Sequence, residues 1–210
     1  MSINKNNLSE ITENLKPYKN TNLMIVTKNQ SIQDIKTLLA DGFRFFGENR
    51  VMEARQKYED LQNYKDLKLH MIGPLQTNKV KIALKIFDTI QTLDRYTLVD
   101  EVNKVLSKNT CKTKEFYIQV NIGNENQKSG VTIKELPELY HYCLKKKLNI
   151  VGLMCIPPNV DNPSDFFETM KKIRDKMNRK LSLSMGMSND YKIALNYESN
   201  IVRVGSLIFS

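Results

Sequence analysis

Apolar residues fall along the chain in short runs bounded by turn-forming residues. The runs cover 23–27 (LMIVT), 43–47 (FRFFG), 68–73 (LHMIG after a leading lysine), 87–93 (FDTIQTL), 116–122 (FYIQVNI), 150–156 (IVGLMCI), 181–186 (LSLSMG) and 201–206 (IVRVGS). All are too short for helices and rich in strand-favouring residues, so they predict eight β-strands. Between them the period turns helical, as at Ile32, Ile35, Leu38 and Leu39, at Val99, Val102, Val105 and Leu106, and at Ile133, Leu136, Leu139, Tyr140, Cys143 and Leu144. Ser31, Asp94, Thr132 and Ser164 stand just ahead of such stretches and are expected N-caps.

A strand followed by a helix, repeated until the last strand, predicts a parallel sheet covered by helices, and eight strands suffice to close it. The expected fold is therefore α/β, a single (β/α)8 barrel of the TIM type spanning 1–210, with an extra helix over 7–17 ahead of the first strand. An open, doubly wound sheet is the alternative.

Composition narrows the picture. With 40% hydrophobic and 26% charged residues the chain is that of a globular protein with a real core. No stretch approaches the ~18 consecutive apolar residues of a membrane span, and the start from Met1 to Leu8 lacks the apolar centre of a signal peptide. A cytoplasmic protein without membrane partners is expected. Cys111, Cys143 and Cys155 form no CxxC pair, which predicts reduced, buried thiols and neither disulfide nor zinc. The net charge of +9 is compatible with nucleic acid, but lysines alternate with acids and no recognised binding motif is present, so nucleic acid is not the expected partner.

In a barrel of this kind, chemistry belongs at the C-terminal ends of the strands. Lys28 ends the first run, where a desolvated amine would have a lowered pKa and raised nucleophilicity toward an aldehyde; a lone lysine there is also commonly just solvated. Ser184-Met185-Gly186-Met187-Ser188-Asn189-Asp190 reads as a strand running through a glycine into a hydroxyl-bearing helix start at Ser188, which suits either a phosphate or an ordinary capped connection. Arg203 and Gly205 share one face of the last strand, and an inward guanidinium needs an acceptor. His70 reads as a packed, hydrogen-bonded histidine, because His141, the other one, is remote from it; no metal site is predicted.

Six segments carry a resemblance: FGENRVMEA (46–54), HMIGPLQTNK (70–79), VNIGNENQKSG ending at Gly130, GLMCIPP (152–158), LSMGMSND (183–190) and VRVGSLIF (202–209). In this order they resemble the pyridoxal phosphate homeostasis proteins, whose barrel is similar to the N-terminal domain of alanine racemase. The resemblance implies pyridoxal 5′-phosphate (PLP) held as a Schiff base on Lys28, although Asn29-Gln30-Ser31 follows where the family usually carries threonine or lysine and then proline. It further implies that Ser188, Gly205 and Ser206 bind the phosphate, that Asn49 sits beside the cofactor, that Met185 lines the pocket, and that Arg203 faces the pyridine nitrogen. An arginine there leaves the ring unprotonated and a weak electron sink.

The expected function is then a monomeric carrier or buffer of PLP, serving vitamin B6 and amino-acid homeostasis and handing the cofactor to PLP-dependent apoenzymes, without robust catalysis. A weak PLP-dependent racemase is the alternative, disfavoured because the chain stops at Ser210, before the second domain that supplies a racemase with its tyrosine base. Lys79 and Lys128 are expected to be rim lysines that steer phosphate, with a second cofactor site left open.

Overall fold

A computed structural model describes residues 3–61, 64 and 66–209. Eight parallel strands close on themselves in sequence order: β1 (Asn22–Val26), β2 (Phe45–Glu48), β3 (Lys68–Met71), β4 (Thr89–Leu93), β5 (Glu115–Val120), β6 (Ile150–Cys155), β7 (Ser182–Met187) and β8 (Ile201–Val204). Closure is made by β8 against β1, with Met24 opposite Arg203 and Ile25 opposite Val204. All eight expected strands are present, and the open-sheet alternative is excluded. The extra helix, α1, runs Lys5–Leu15, two residues earlier than its apolar pattern suggested, because Asn4 caps it by accepting from the Asn7 N–H at 3.0 Å. The others are α2 (Ile32–Ala40), α3 (Val51–Tyr58), α4 (Val80–Ile86), α5 (Tyr96–Leu106), α6 (Leu136–Lys145), α7 (Ser164–Met177) and α8 (Tyr191–Leu195).

The strands were legible because a parallel sheet is covered on both faces, so its strands read as continuous apolar runs. Those faces make two cores. The larger lies between sheet and helices and includes Ile25, Phe46, Leu69, Ile90, Ile118, Leu153, Leu183, Met185, Val202 and Val204. The smaller, inside the barrel, is Met24, Val26, Ile72, Tyr117, Met154 and Ile201.

Helix ends depart from expectation in detail. Ser31 does cap α2, in a reciprocal capping box with Asp34. Asp94 does not cap α5; Arg95 holds that position, and Asp94 instead pairs with the Arg95 guanidinium at 2.6 Å. Ser164 is the first residue of α7 rather than its cap, and Asn162 Oδ1 accepts from its N–H and its hydroxyl. Thr132 caps the turn that precedes α6, accepting from the Glu135 N–H at 3.2 Å. Ile133 therefore lies outside the helix at 40% exposure, and Leu144 is also exposed, so neither belongs to the buried face that their spacing suggested.

Candidate functional site

Along β1, Met24 and Val26 point into the barrel, and the alternation of side chains carries Lys28 toward the same interior above them. The strand itself ends at Val26; Thr27 makes one more ladder bond, its N–H donating to the Gly47 carbonyl at 3.0 Å. Lys28 then sits in a turn that the Gln30 N–H closes on the Thr27 carbonyl at 3.1 Å. It is solvent-exposed, so the desolvated amine expected of a strand-ending lysine is not found. The physical reason is that the lysine stands beyond the rim, where no strand neighbour covers it.

A cavity of about 610 Å³ opens at the C-terminal ends of the strands. Lys28, Asn49, Ser188, Arg203, Gly205 and Ser206, contributed by four separate strand ends, all line it. Met185 does not: it is fully buried in the outer core, and Met187 lines the cavity in its place. The backbone reason is Gly186, whose φ of +94° breaks the strand's alternation between the two methionines. Ser188 likewise is not a helix cap, since α8 begins at Tyr191 and Asp190 holds the cap position, accepting from the Met187 N–H at 2.5 Å. Lys128 lines the cavity as expected, with its Nζ donating to the Pro157 carbonyl at 2.9 Å, whereas Lys79 does not reach it.

Arg203 is the buried charge of the site, and burial lowers its guanidinium pKa from the ordinary value. Its Nη2 donates to the Cys155 carbonyl and its Nη1 to Ser184 Oγ, both at 2.8 Å. Ser184 in turn donates to Gln91 Oε1 at 2.7 Å, and the Gln91 amide reaches His70 Nδ1 at 2.9 Å. The polar wire thus runs through the barrel interior from the cavity to its far side. Burial first, and the Lys68 charge second, push the His70 imidazole down to about 3, so the ring is neutral, packed and hydrogen-bonded as its isolation in the sequence suggested.

Below the Lys28 turn lies a second cluster, unnoticed in the sequence. Glu48 is fully buried between Thr27 and Lys57, and its desolvation raises the carboxyl pKa. Glu48 sits in the FGENRVMEA segment beside Asn49, and an acid ending a buried strand was the available signal.

The profile of the family described as alanine racemase, N-terminal domain, matches residues 4–210. Pyridoxal phosphate homeostasis proteins of Aquifex aeolicus and Buchnera aphidicola are 41% and 34% identical to the chain, over 80% and 95% of its length and 77% and 90% of theirs. The chain belongs to the pyridoxal phosphate homeostasis protein family. Among solved structures it is similar to PipY of Synechococcus elongatus PCC7942 without PLP, a member 28% identical that covers 98% of this chain and 99% of its own at a TM-score of 0.89. The same protein with PLP bound superposes at a TM-score of 0.81. Alanine racemase of Clostridium difficile 630 shares the barrel fold at 13% identity and a TM-score of 0.74, but this chain spans only 55% of it. No helix among the described residues is long and apolar enough to cross a membrane.

The residues at this mouth suit PLP. Asn49 Oδ1 is buried at the cavity with no hydrogen-bond partner, an acceptor left for a bound donor. Gly205 presents bare backbone where a Cβ would stand 3.0 Å from the Val26 carbonyl, and its N–H reaches Ser188 Oγ only at 3.4 Å. A weakly engaged N–H, two nearby hydroxyls and no side chain in the way fit a phosphate. A primary amine and a buried guanidinium at the same mouth fit an aldehyde and an aromatic nitrogen.

Proposed function

We propose that the chain binds PLP in this cavity, covalently through Lys28, and serves as a carrier or buffer of the cofactor rather than as an enzyme. The observation that carries the reading is the convergence of Lys28, Asn49, Ser188, Arg203, Gly205 and Ser206 on one mouth from strand ends up to 178 residues apart (206 − 28). When bound, PLP supplies an electrophilic aldehyde and an electron-withdrawing ring.

The chain's residues divide the work. Lys28 Nζ would bond the aldehyde carbon with loss of one water to solvent, and hydrolysis by one water, or displacement by another amine, would free the lysine. Its exposure leaves that exchange open to solvent and to incoming amines. The Gly205 N–H and the Ser188 and Ser206 hydroxyls donate to the phosphate. Arg203, with two of its donors fixed on Ser184 and Cys155, keeps its proton and holds the ring nitrogen unprotonated. That arrangement withdraws few electrons from a bound amino acid, and among the described residues no tyrosine or histidine lines the cavity to act as the base opposite Lys28. Both features favour carriage over racemisation.

Apoenzymes that need PLP are the proposed recipients, and the protein is taken as a monomer placed in the cytoplasm, where three free, buried cysteines would stay reduced. The test is to load the wild type and Lys28→Ala with PLP, reduce with borohydride and map the labelled peptide. Label on Lys28, absent from the variant, followed by transfer to an apoenzyme without exchange of an amino acid's α-hydrogen, is the expected result. Label elsewhere, or α-hydrogen exchange with solvent, counts against it.

A further inference from the structure

The cluster beneath Lys28 holds more charge than the barrel needs for packing. Lys57, on α3, is 8% exposed, and its Nζ has three oxygen partners, each at 2.7 Å: the Thr27 carbonyl, Glu48 Oε1 and Glu53 Oε1. Three acceptors match the three donors of an ammonium. Glu53 Oε1 also accepts from the backbone N–H of Asn29 at 2.6 Å. Thr27 Oγ1 donates to Glu48 Oε1 at 2.7 Å and meets Tyr58 Oη at 2.8 Å. The residues on both sides of Lys28 are thus tied to α3, while the Lys28 side chain takes no part in the ties.

Buried ion networks cost desolvation and are weak contributors to stability compared with apolar packing, so their use lies more often in fixing one arrangement. Here the arrangement fixed is the 27–30 turn. Asn29 stands at φ +60°, a left-handed conformation that asparagine adopts more readily than other non-glycine residues, and its N–H bond to Glu53 holds it there. Lysine's long, flexible stem adds its own rotamer freedom, so a defined root for that stem reduces what binding must order.

We propose that Glu53 and Lys57 are positioning residues for Lys28: they lock the 27–30 turn from below and aim the amine's root into the cavity. The proposal rests on the reading that Lys28 bonds the cofactor. Glu53 is the separable half, since its side chain is 22% exposed and its carboxylate alone reaches Asn29.

The experiment compares the wild type, Glu53→Ala and Glu53→Gln by two readouts. One is hydrogen–deuterium exchange at the Asn29 amide of the cofactor-free protein, and the other is PLP titration followed by the visible band of the lysine-bound cofactor. Glu53→Ala is expected to speed Asn29 exchange and weaken PLP uptake by about tenfold each, the scale of one hydrogen bond to a charged group. Glu53→Gln, which keeps an acceptor oxygen, is expected to recover most of both. Glu53→Met, which retains the stem and deletes the carboxylate, replaces the alanine variant should that one fail to fold.

Wild-type exchange and uptake in the alanine variant overturn the proposal. Equal losses in the alanine and glutamine variants overturn it too, because the acceptor at Asn29 would then not be what matters. PLP uptake by the wild type on a lysine other than Lys28 removes the cofactor reading, and the role of Glu53 with it, while the exchange difference among variants stays intact. The two failures are thereby told apart.

Discussion

Arg203 Nη1 lies 2.8 Å from Ser184 Oγ, and that hydroxyl, 19 residues away in sequence, links the guanidinium to Gln91. Ser184 both accepts and donates, so its loss leaves Arg203 Nη1 and Gln91 Oε1 without that partner in a buried setting. Ser184→Ala is expected to destabilise the barrel by about 1–3 kcal/mol, the usual penalty for a buried polar group left unpaired. Urea unfolding of the two proteins measures it; coincident midpoints would mean that water replaces the hydroxyl.

At the far end of the same wire, His70 sets a pH dependence. Its imidazole titrates at about 3 in the folded protein against an ordinary 6.5. Within that window the unfolded chain binds a proton that the folded chain refuses, so stability falls as pH drops through it, by up to ~1.4 kcal/mol per pH unit from this group. Above the ordinary pKa both states are neutral and the dependence vanishes. His70→Gln, neutral throughout and able to accept from Gln91, is expected to flatten the slope between neutral pH and about pH 5 in denaturant titrations. Parallel slopes for wild type and variant would assign the acid sensitivity elsewhere.

Met185 and Met187, two residues apart, are expected to behave oppositely. Met185 is fully buried against the helices, so Met185→Ala opens a cavity in the outer core and should cost about 2–5 kcal/mol, with PLP affinity changed only through the loss of fold. Met187 is half-buried on the cavity wall, so Met187→Ala should leave thermal stability nearly unchanged and weaken PLP uptake. A calorimetric scan and a PLP titration of each variant suffice, and a reversed pattern would place the pocket on the other methionine.

The same pair illustrates what the sequence could convey. Eight strands were readable because each is buried on two faces, and six of the seven positions named from strand ends and from the family resemblance line one cavity. Met185 was named on the family resemblance alone; alternation from inward Ser184 already turns it to the outer core, and the positive φ of Gly186 is what brings Met187 to the cavity instead. Lys28 was expected to be covered, but cover depends on loops whose paths no local pattern encodes. Glu53 and Lys57 went unseen because an i,i+4 pair on a helix usually means a solvated face; only closure of β1 beside β2 puts the Thr27 carbonyl beneath it.

The proposed phosphate contacts give the sharpest test of how the cofactor would be seated. Ser188 Oγ is engaged only by the long bond from the Gly205 N–H at 3.4 Å, so removing it leaves no buried group unsatisfied and the fold should be indifferent. Ser188→Ala is therefore expected to keep the wild-type unfolding midpoint. Its effect should appear in a comparison of PLP with pyridoxal, which has the aldehyde and ring but no phosphate. Losing one donor to a charged phosphate corresponds to about tenfold weaker PLP uptake, while pyridoxal uptake stays as in the wild type. Equal weakening of both would show that Ser188 acts on the ring or on the turn around Gly186, and the phosphate would then have to be assigned to Ser206 and the backbone beside it.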